Sequence, residues 1–313
     1  MNPPIPTRLS GGGWALATSG LTKRYGKTVA LRGIDLTVPE GSVYVLVGPN
    51  GAGKTTTLEI LLDLVRPDSG SVEALGMDPR RDGPRLRAQI GYIPEAQKWE
   101  HGWMPVRLLL AHHARYFPSW DSEYAARLSA RLELPLERPY GKLSKGQARR
   151  VQVVLALAHR PPLLVFDEPT DGLDPLARET TLSVLAEHMA EHAATLLIST
   201  HLVHETERLA DHMAVLRDGT LRAQATTEEI QGSLLRYKAE VPEGWDGTAA
   251  LDGRVIRRAA RGREIEWTVW GDEREVRARI GEAGAQVREV TRLSLEEAAV
   301  ALLSPSEGGS HEH

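Results

Sequence analysis

Val43-Tyr44-Val45-Leu46-Val47 runs directly into Gly48-Pro49-Asn50-Gly51-Ala52-Gly53-Lys54-Thr55-Thr56, so a β-rich segment feeds a glycine-rich turn that ends in Lys-Thr. Glycine, four residues, then Gly-Lys-Thr is the spacing of a loop whose backbone N–H groups curl around a polyphosphate. Glycine is required there because the chain must enter conformations closed to other residues and approach the anion closely. Lys54 then supplies a point charge near the β- and γ-phosphates, and the Thr55 hydroxyl a ligand for Mg²⁺. The segment Thr56 to Leu64 reads as a helix whose N-terminal partial charge points at the nucleotide. In isolation such a loop also reads as a solvated Gly/Pro turn; the strand before it and the helix after it favour the phosphate site.

Strand-like and helix-like patterns alternate beyond this point, which predicts an α/β fold with a mostly parallel sheet covered on both faces. Strands are expected at Val43–Val47, Leu163–Asp167, Thr195–Ser199 and Met213–Leu216, and helices at Tyr124–Leu132, Gly146–Ala158 and Pro175–Glu187. Pro161-Pro162 ends the second of these helices. After Gln231 the character changes to a hairpin pattern over Arg254–Trp270, a short amphipathic helix over Asp272–Glu282, a strand near Val287 and a final apolar run, Leu295–Leu303. This divides the chain into a flexible leader (1–20), a nucleotide-binding part (21–231, with a helical portion at about 99–160), a separate small α+β module (232–304) and a disordered tail (305–313).

Composition narrows the function classes. The 313 residues include no cysteine, which removes thiolate catalysis, disulfides and Cys-based metal sites. A net charge of -4 gives no global attraction to nucleic acid. Residues 1–20 carry Pro3, Pro4, Pro6 and Gly11-Gly12-Gly13 where a signal sequence needs an unbroken apolar run. No apolar run reaches the roughly 18–20 residues that span a bilayer, so any membrane connection is expected to pass through another polypeptide.

Three more constellations sharpen the reading. Leu163-Leu164-Val165-Phe166-Asp167-Glu168 ends a buried strand in adjacent carboxylates, whose side chains diverge so that Asp167 faces Mg²⁺ and Glu168 a water beside the γ-phosphate. Leu143-Ser144-Lys145-Gly146-Gln147 opens a helix with a hydroxyl and exposed N–H groups, a second anion site. Ser199-Thr200-His201 brings an imidazole to a strand end, placed to donate to a phosphate oxygen.

In motif order and spacing, residues 21–231 resemble the ATP-binding subunit of an ABC transporter. The resemblance implies that Gly48–Thr55 is Walker A, Asp167-Glu168 closes Walker B, Leu143–Gln147 is the signature motif, Asp171-Gly172-Leu173-Asp174 the D-loop and His201 the switch histidine. It also implies that Tyr25 stacks on adenine, that Ile90-Gly91-Tyr92-Ile93-Pro94-Glu95 is most like bacterial drug- and antibiotic-type exporter ATPases, and that Ser144 and Gly146 act on ATP bound by a partner subunit. The fold implied is the P-loop type of that family, with an antiparallel N-terminal β part and a helical subdomain.

Two positions depart from the family pattern. Lys145 stands where a second glycine is usual, adding a cation that meets phosphate or water. Glu95 stands where a glutamine is usual, with Gln97 two places on; a carboxylate ligates Mg²⁺ as well as an amide does, which favours Glu95. Trp99 and Trp103 lie where the resemblance puts the membrane-subunit contact, and read equally as buried or exposed. His112-His113, and His311 with His313, lack metal-ligand spacing and read as solvated. The basic run Arg254, Arg257, Arg258, Arg261 and Arg263 is followed by Glu264, Glu266, Asp272 and Glu273, a charge-balanced hairpin surface.

The expected activity is MgATP hydrolysis. Lys54 and the loop amides would stabilise the phosphoryl group, Thr55, Asp167 and Glu95 hold Mg²⁺, and Glu168 activate water while His201 senses the γ-phosphate. One Walker A and one signature motif require a second copy or a related chain to complete a pair of sites, with a separate permease as partner at the inner face of the membrane. A soluble ABC-type ATPase and a nucleotide-responsive regulator or scaffold are the alternative classes. The first lacks a second Walker A or a long coiled-coil insertion here, and the second does not account for retaining both Asp167 and Glu168.

Overall fold

The structure is a computed structural model that describes residues 13–95, 102–242, 245, 251 and 255–304. Trp99, Gln97, the first twelve residues, the tail 305–313 and Arg254 therefore lie outside the described residues.

The N-terminal half opens with strands β1 (Trp14–Tyr25), β2 (Thr28–Ile34), β3 (Thr37–Pro39) and β4 (Val43–Val47), then helix α1 (Lys54–Leu61). Strand β5 (Ser69–Ala74), helix α2 (Pro79–Arg87) and strand β6 (Ile90–Ile93) follow. Strands β1, β2, β3 and β5 form an antiparallel sheet. The expected leader thus ends earlier than residue 20, because Ala15, Leu16 and Leu21 of β1 are buried and anchor the strand from Trp14.

Helices α3 (Val106–His113), α4 (Ser122–Arg131) and α5 (Lys145–Leu157) come next, before β7 (Leu163–Asp167), α6 (Pro175–Glu191), β8 (Thr195–Thr200) and α7 (Val203–Thr206). Then come β9 (His212–Arg217), β10 (Thr220–Thr226) and α8 (Thr227–Ser233). The central sheet runs β10-β9-β4-β8-β7-β6, parallel throughout except for the β9–β10 hairpin. Every residue of β4, β7 and β8 is buried, as a sheet covered on both faces demands. In β4, Tyr44 and Leu46 pack towards β1, β2 and α1, while Val45 and Val47 pack towards β9 and the C-terminal helix. Parallel strands in register bring the ends of β4, β7 and β8 side by side, which is where the loop glycines, Asp167-Glu168 and His201 emerge.

Strands β11 (Leu234–Glu240), β12 (Val255–Arg261), β13 (Glu264–Trp270) and β14 (Gln286–Arg292) make a four-stranded antiparallel sheet in the order β12-β13-β11-β14. Helix α9 (Glu273–Glu282) packs Val276 and Ile280 against Tyr237, Trp267 and Val269 of this sheet. Helix α10 (Leu295–Leu303), closed by a Ser294/Glu297 capping box, goes elsewhere: Leu295, Ala298, Ala299 and Leu302 join Val45, Val47, Val203 and Val215 in one apolar cluster. The terminal segment expected to belong wholly to a separate module therefore lends its last helix to the nucleotide-binding part.

His113 also departs from expectation. It is half-buried, 5.0 Å from the Phe117 ring, and burial with neighbouring His159 and His112 pushes its pKa down to about 4. His188, buried on α6 with Nδ1 2.8 Å from the Tyr124 hydroxyl, is likewise pushed down to about 4 by burial and by the charges of His192, Arg160 and His159. Both lie below the free-imidazole value of about 6.5, so the unfolded chain takes up protons first as pH falls. Stability is complete above about pH 6.5 and declines towards about pH 4. His188→Gln, which keeps an acceptor for Tyr124, is expected to reduce that loss by on the order of 3 kcal/mol. Urea unfolding at pH 7 and pH 4.5 checks it: equal pH sensitivity in parent and variant would count against the assignment.

Candidate functional site

Two glycines show why the loop after β4 has its composition. A Cβ on Gly48 would lie 2.3 Å from the Leu216 carbonyl oxygen, and Gly53 adopts φ 107° with a Cβ position 2.6 Å from the Ala30 oxygen. The loop is pinned from outside by Gly219 N–H donating to the Ala52 carbonyl (3.0 Å) and Gly48 N–H to the Thr200 carbonyl (3.3 Å). Gly53 precedes α1 without any side-chain cap, so the first N–H groups of that helix keep their donors for an anion. Pro49, Asn50 and Gly51 form the exposed rim, Ala52 is buried beneath it, and Thr56 lies in the first turn of α1. A glycine loop pressed close against the neighbouring backbone and ending at an uncapped helix N-terminus fits the phosphates of a nucleotide.

Lys54 is buried, with Nζ donating to the Gly48 carbonyl at 2.7 Å and standing 3.8 Å from Glu168 Oε1. Burial lowers its pKa, an effect opposed by the negative charges of Glu168, Asp167 and Glu95. Thr55 Oγ1 donates to Asp167 Oδ2 at 2.7 Å, while Ser199 Oγ donates to Oδ1 of the same carboxylate. A hydroxyl and a carboxylate within one hydrogen bond of each other are the hard oxygen ligands that suit Mg²⁺, which takes its remaining ligands from water and phosphate.

Asp167 and Glu168 do point apart, but through a turn and not through strand alternation alone. Asp167 ends β7, and Glu168 adopts φ 50°, a strained conformation for a non-glycine residue. Glu168 N–H donates to the Ser199 carbonyl (3.0 Å), Thr200 Oγ1 donates to Oε2 (3.1 Å), and His201 Nδ1 lies 2.8 Å from Oε1. His201 is thus held against the carboxylate, with an exposed ring.

Other expected residues occupy different places. Glu95 is exposed at the end of the β6 segment, its carbonyl bonded to Arg149 Nη2 at 2.8 Å. Tyr25 ends β1 with 46% of its surface exposed and Lys23 Nζ 5.2 Å from its ring centre. Ser144 caps α5, accepting from Gln147 N–H (3.2 Å) while Gln147 Oε1 accepts from Ser144 N–H (3.1 Å). Among the described residues no hydrogen bond or ion pair joins Ser144, Gly146 or Gln147 to the 48–56 loop. Instead, a Cβ on Gly146 would meet the Gly172 carbonyl at 2.6 Å, and Lys145 Nζ pairs with Asp171 Oδ2 at 2.5 Å. The unexpected signature cation therefore faces the D-loop. Asp174 caps α6, accepting from Ala177 N–H at 2.9 Å. Trp103 is 69% exposed.

Sequence reasoning missed Arg149. It is buried and donates to the Pro94 carbonyl (2.7 Å) as well as to that of Glu95, tying α5 to the end of the β6 segment. A cation in helical phase with buried Gln152 and Val153 was the available signal.

A family model described as ABC transporter matches residues 31–171. The chain is 36% identical over 220 residues to Nod factor export ATP-binding protein I of Ralstonia nicotianae, a match covering 69% of this chain and 68% of that protein. It is 35% identical over 224 residues to the daunorubicin/doxorubicin resistance ATP-binding protein DrrA of Streptomyces peucetius, covering 70% and 68%. A solved ATP-binding subunit of an ABC transporter superposes with a TM-score of 0.63 at 30% identity, over 69% of this chain and 92% of that one. Phosphate cradle, paired strand-end carboxylates and these likenesses converge: the chain belongs to the ABC transporter family, as an ATP-binding subunit of the kind that hydrolyses ATP.

Proposed function

We propose that this chain powers an exporter, closing as a dimer on MgATP and working a separate membrane permease from the cytoplasmic face. The observation that carries the reading is the division of the site. Residues 48–56, Asp167 and Glu168 are gathered in one place, while Ser144 caps α5 and Gly146 sits against Gly172, with no hydrogen bond or ion pair to that place among the described residues. A chain with one half of each kind is completed by a second copy or a related subunit presenting Ser144, Gly146, Gln147 and Asp174 to its partner's nucleotide. The two named relatives, an export protein and a drug-resistance protein, support the export direction. No helix among the described residues is long and apolar enough to cross a membrane, which leaves translocation to the permease. With a net charge of -4, no nucleic-acid partner is assigned. We count residues 21–231, extended back to β1 and joined by α10, as the ATPase part, and the sheet at 234–292 with α9 as an accessory module.

In the reaction, the amides of Gly51, Gly53 and Lys54 and the Lys54 ammonium hold the phosphoryl oxygens, and Tyr25 offers its ring to adenine. Thr55 and Asp167, with Glu95 as the third candidate, would hold Mg²⁺, which supplies charge neutralisation between phosphates when bound. Glu168 receives a proton from water at Oε1 or Oε2; its fixed backbone and the Thr200 bond set the direction of that transfer. His201, already against Glu168, reports the state of the γ-phosphate to α7. A cleft of about 250 Å³ lined by Leu62, Leu64, Tyr92, Phe117 and Leu155 is where we place the permease contact.

Glu168→Gln is expected to bind ATP yet turn over at least about 100-fold more slowly, accumulating an ATP-bound dimer on size exclusion. Parental turnover in that variant would remove Glu168 from its role. Glu95→Gln is expected to alter the rate several-fold and shift its dependence on Mg²⁺ concentration; a superimposable magnesium titration would transfer the role away from Glu95.

A further inference from the structure

We infer that Glu205 is a positioning residue for ATP hydrolysis, an anionic strut that locks the His201 segment to the turn between Glu168 and Asp174. The inference rests on the ATPase mechanism proposed above and adds to it a residue that touches neither nucleotide nor water.

Helix α7 is four residues long and has no side-chain cap. So short a helix has no stability of its own, and its place must be set by tertiary contacts. Glu205 projects from it into the interior, 8% exposed. A carboxylate that far from water is costly unless matched, and its two partners come from the catalytic turn and the D-loop helix. Thr170 Oγ1, two residues beyond Glu168, donates to Glu205 Oε2, and Arg178 Nη1, four beyond Asp174, stands 2.9 Å from Oε1. The second contact is made on charge without hydrogen-bond alignment. The turn is closed internally by Asp171 N–H donating to the Glu168 carbonyl and Leu173 N–H to that of Thr170, each at 3.1 Å. Leu202 N–H donates to Thr200 Oγ1 (3.0 Å), the hydroxyl that also holds Glu168. Displacing Glu205 therefore displaces the His201 ring from Glu168 and the D-loop from its set position together.

On its other flank α7 is met by the C-terminal helix. Leu295 N–H donates to Glu207 Oε1 (3.0 Å), and His204 Nδ1 lies 3.5 Å from Glu296 Oε1. These contacts are exposed or half-exposed, so they are weaker restraints than the buried strut.

The test uses the full chain. Glu205→Gln keeps the shape and an acceptor for Thr170 but removes the charge facing Arg178. We expect kcat to fall about 10-fold or more with KM for ATP changed less than about twofold, and Arg178→Met to cause a similar loss without adding to that of Glu205→Gln. Glu205→Asp should recover part of the rate. In the nucleotide-free protein, the His201 ring resonances, followed by NMR at one fixed pH, should move in Glu205→Gln. A folded Glu205→Gln with parental kcat and unmoved His201 ring resonances overturns the proposal, as does a rate loss matched by loss of ATP affinity, or additive effects of the two substitutions. If Glu205→Gln does not fold, the Arg178→Met variant carries the same kinetic and NMR readouts. A parental chain without ATPase activity would defeat the underlying mechanism, while the His201 ring resonances would still decide the role of Glu205.

Discussion

A buried ammonium and a buried carboxylate stand 3.8 Å apart, Lys54 and Glu168, and the rest of the nucleotide site depends on holding them there without letting them fuse. At that separation two unit charges attract by about 4 kcal/mol at the effective dielectric of a partly wet site. Left alone, the pair would collapse into a direct salt bridge and neither group would address a phosphate or a water. The fold opposes this on both sides. Lys54 is drawn onto the Gly48 carbonyl, and Glu168 is fixed by its strained backbone, by Thr200 and by His201. Each restraint comes from a neighbouring strand end, which is why a parallel sheet with β4, β7 and β8 in register is the scaffold that supplies them.

The parts legible in the sequence are those in which chemistry and backbone are written in the same few residues. The loop at 48–55 needs glycine where it is crowded and lysine where it is charged, so its string announces both. The strands at 43–47 and 163–167 are apolar up to the carboxylate of Asp167 because both faces are covered, and they were read to the residue. What stayed hidden depends on partners distant in sequence. Arg149 reaches the carbonyls of Pro94 and Glu95, 55 and 54 positions away, and Lys145 finds Asp171 at a separation of 26. Period alone does not tell a buried cation with fixed acceptors from one on a solvated helix face. The leader boundary failed for a related reason: Ala15 and Leu16 are buried by pairing with β3 and β5, which the local Gly and Pro content does not encode.

Helix α10 shows the same limit at the level of organisation. Its apolar face was evident, but not what it covers. By packing on Val203 and Val215 it joins the apolar cluster that also holds α7 and β9. The same helix is joined to β11 by the Arg236–Glu297 pair at 3.1 Å.

Burial separates the groups that one chain completes from those that wait for another. Lys54, Asp167 and Glu168 are nearly sealed, and their polar atoms are matched inside the chain. Ser144, Gly172, Asp174 and His201 are exposed, and Leu176, beside Asp174, has 75% of its surface in solvent. A site meant to work alone would have little reason to leave His201 and a large aliphatic side chain in water beside Asp174. Covering that face with a second subunit would desolvate His201 and the rim of the phosphate loop together, strengthening electrostatic interactions there at the moment both nucleotide-facing halves are present. In the dimer proposed above, the exposed turn at Ser144 is the half offered to the neighbour's nucleotide.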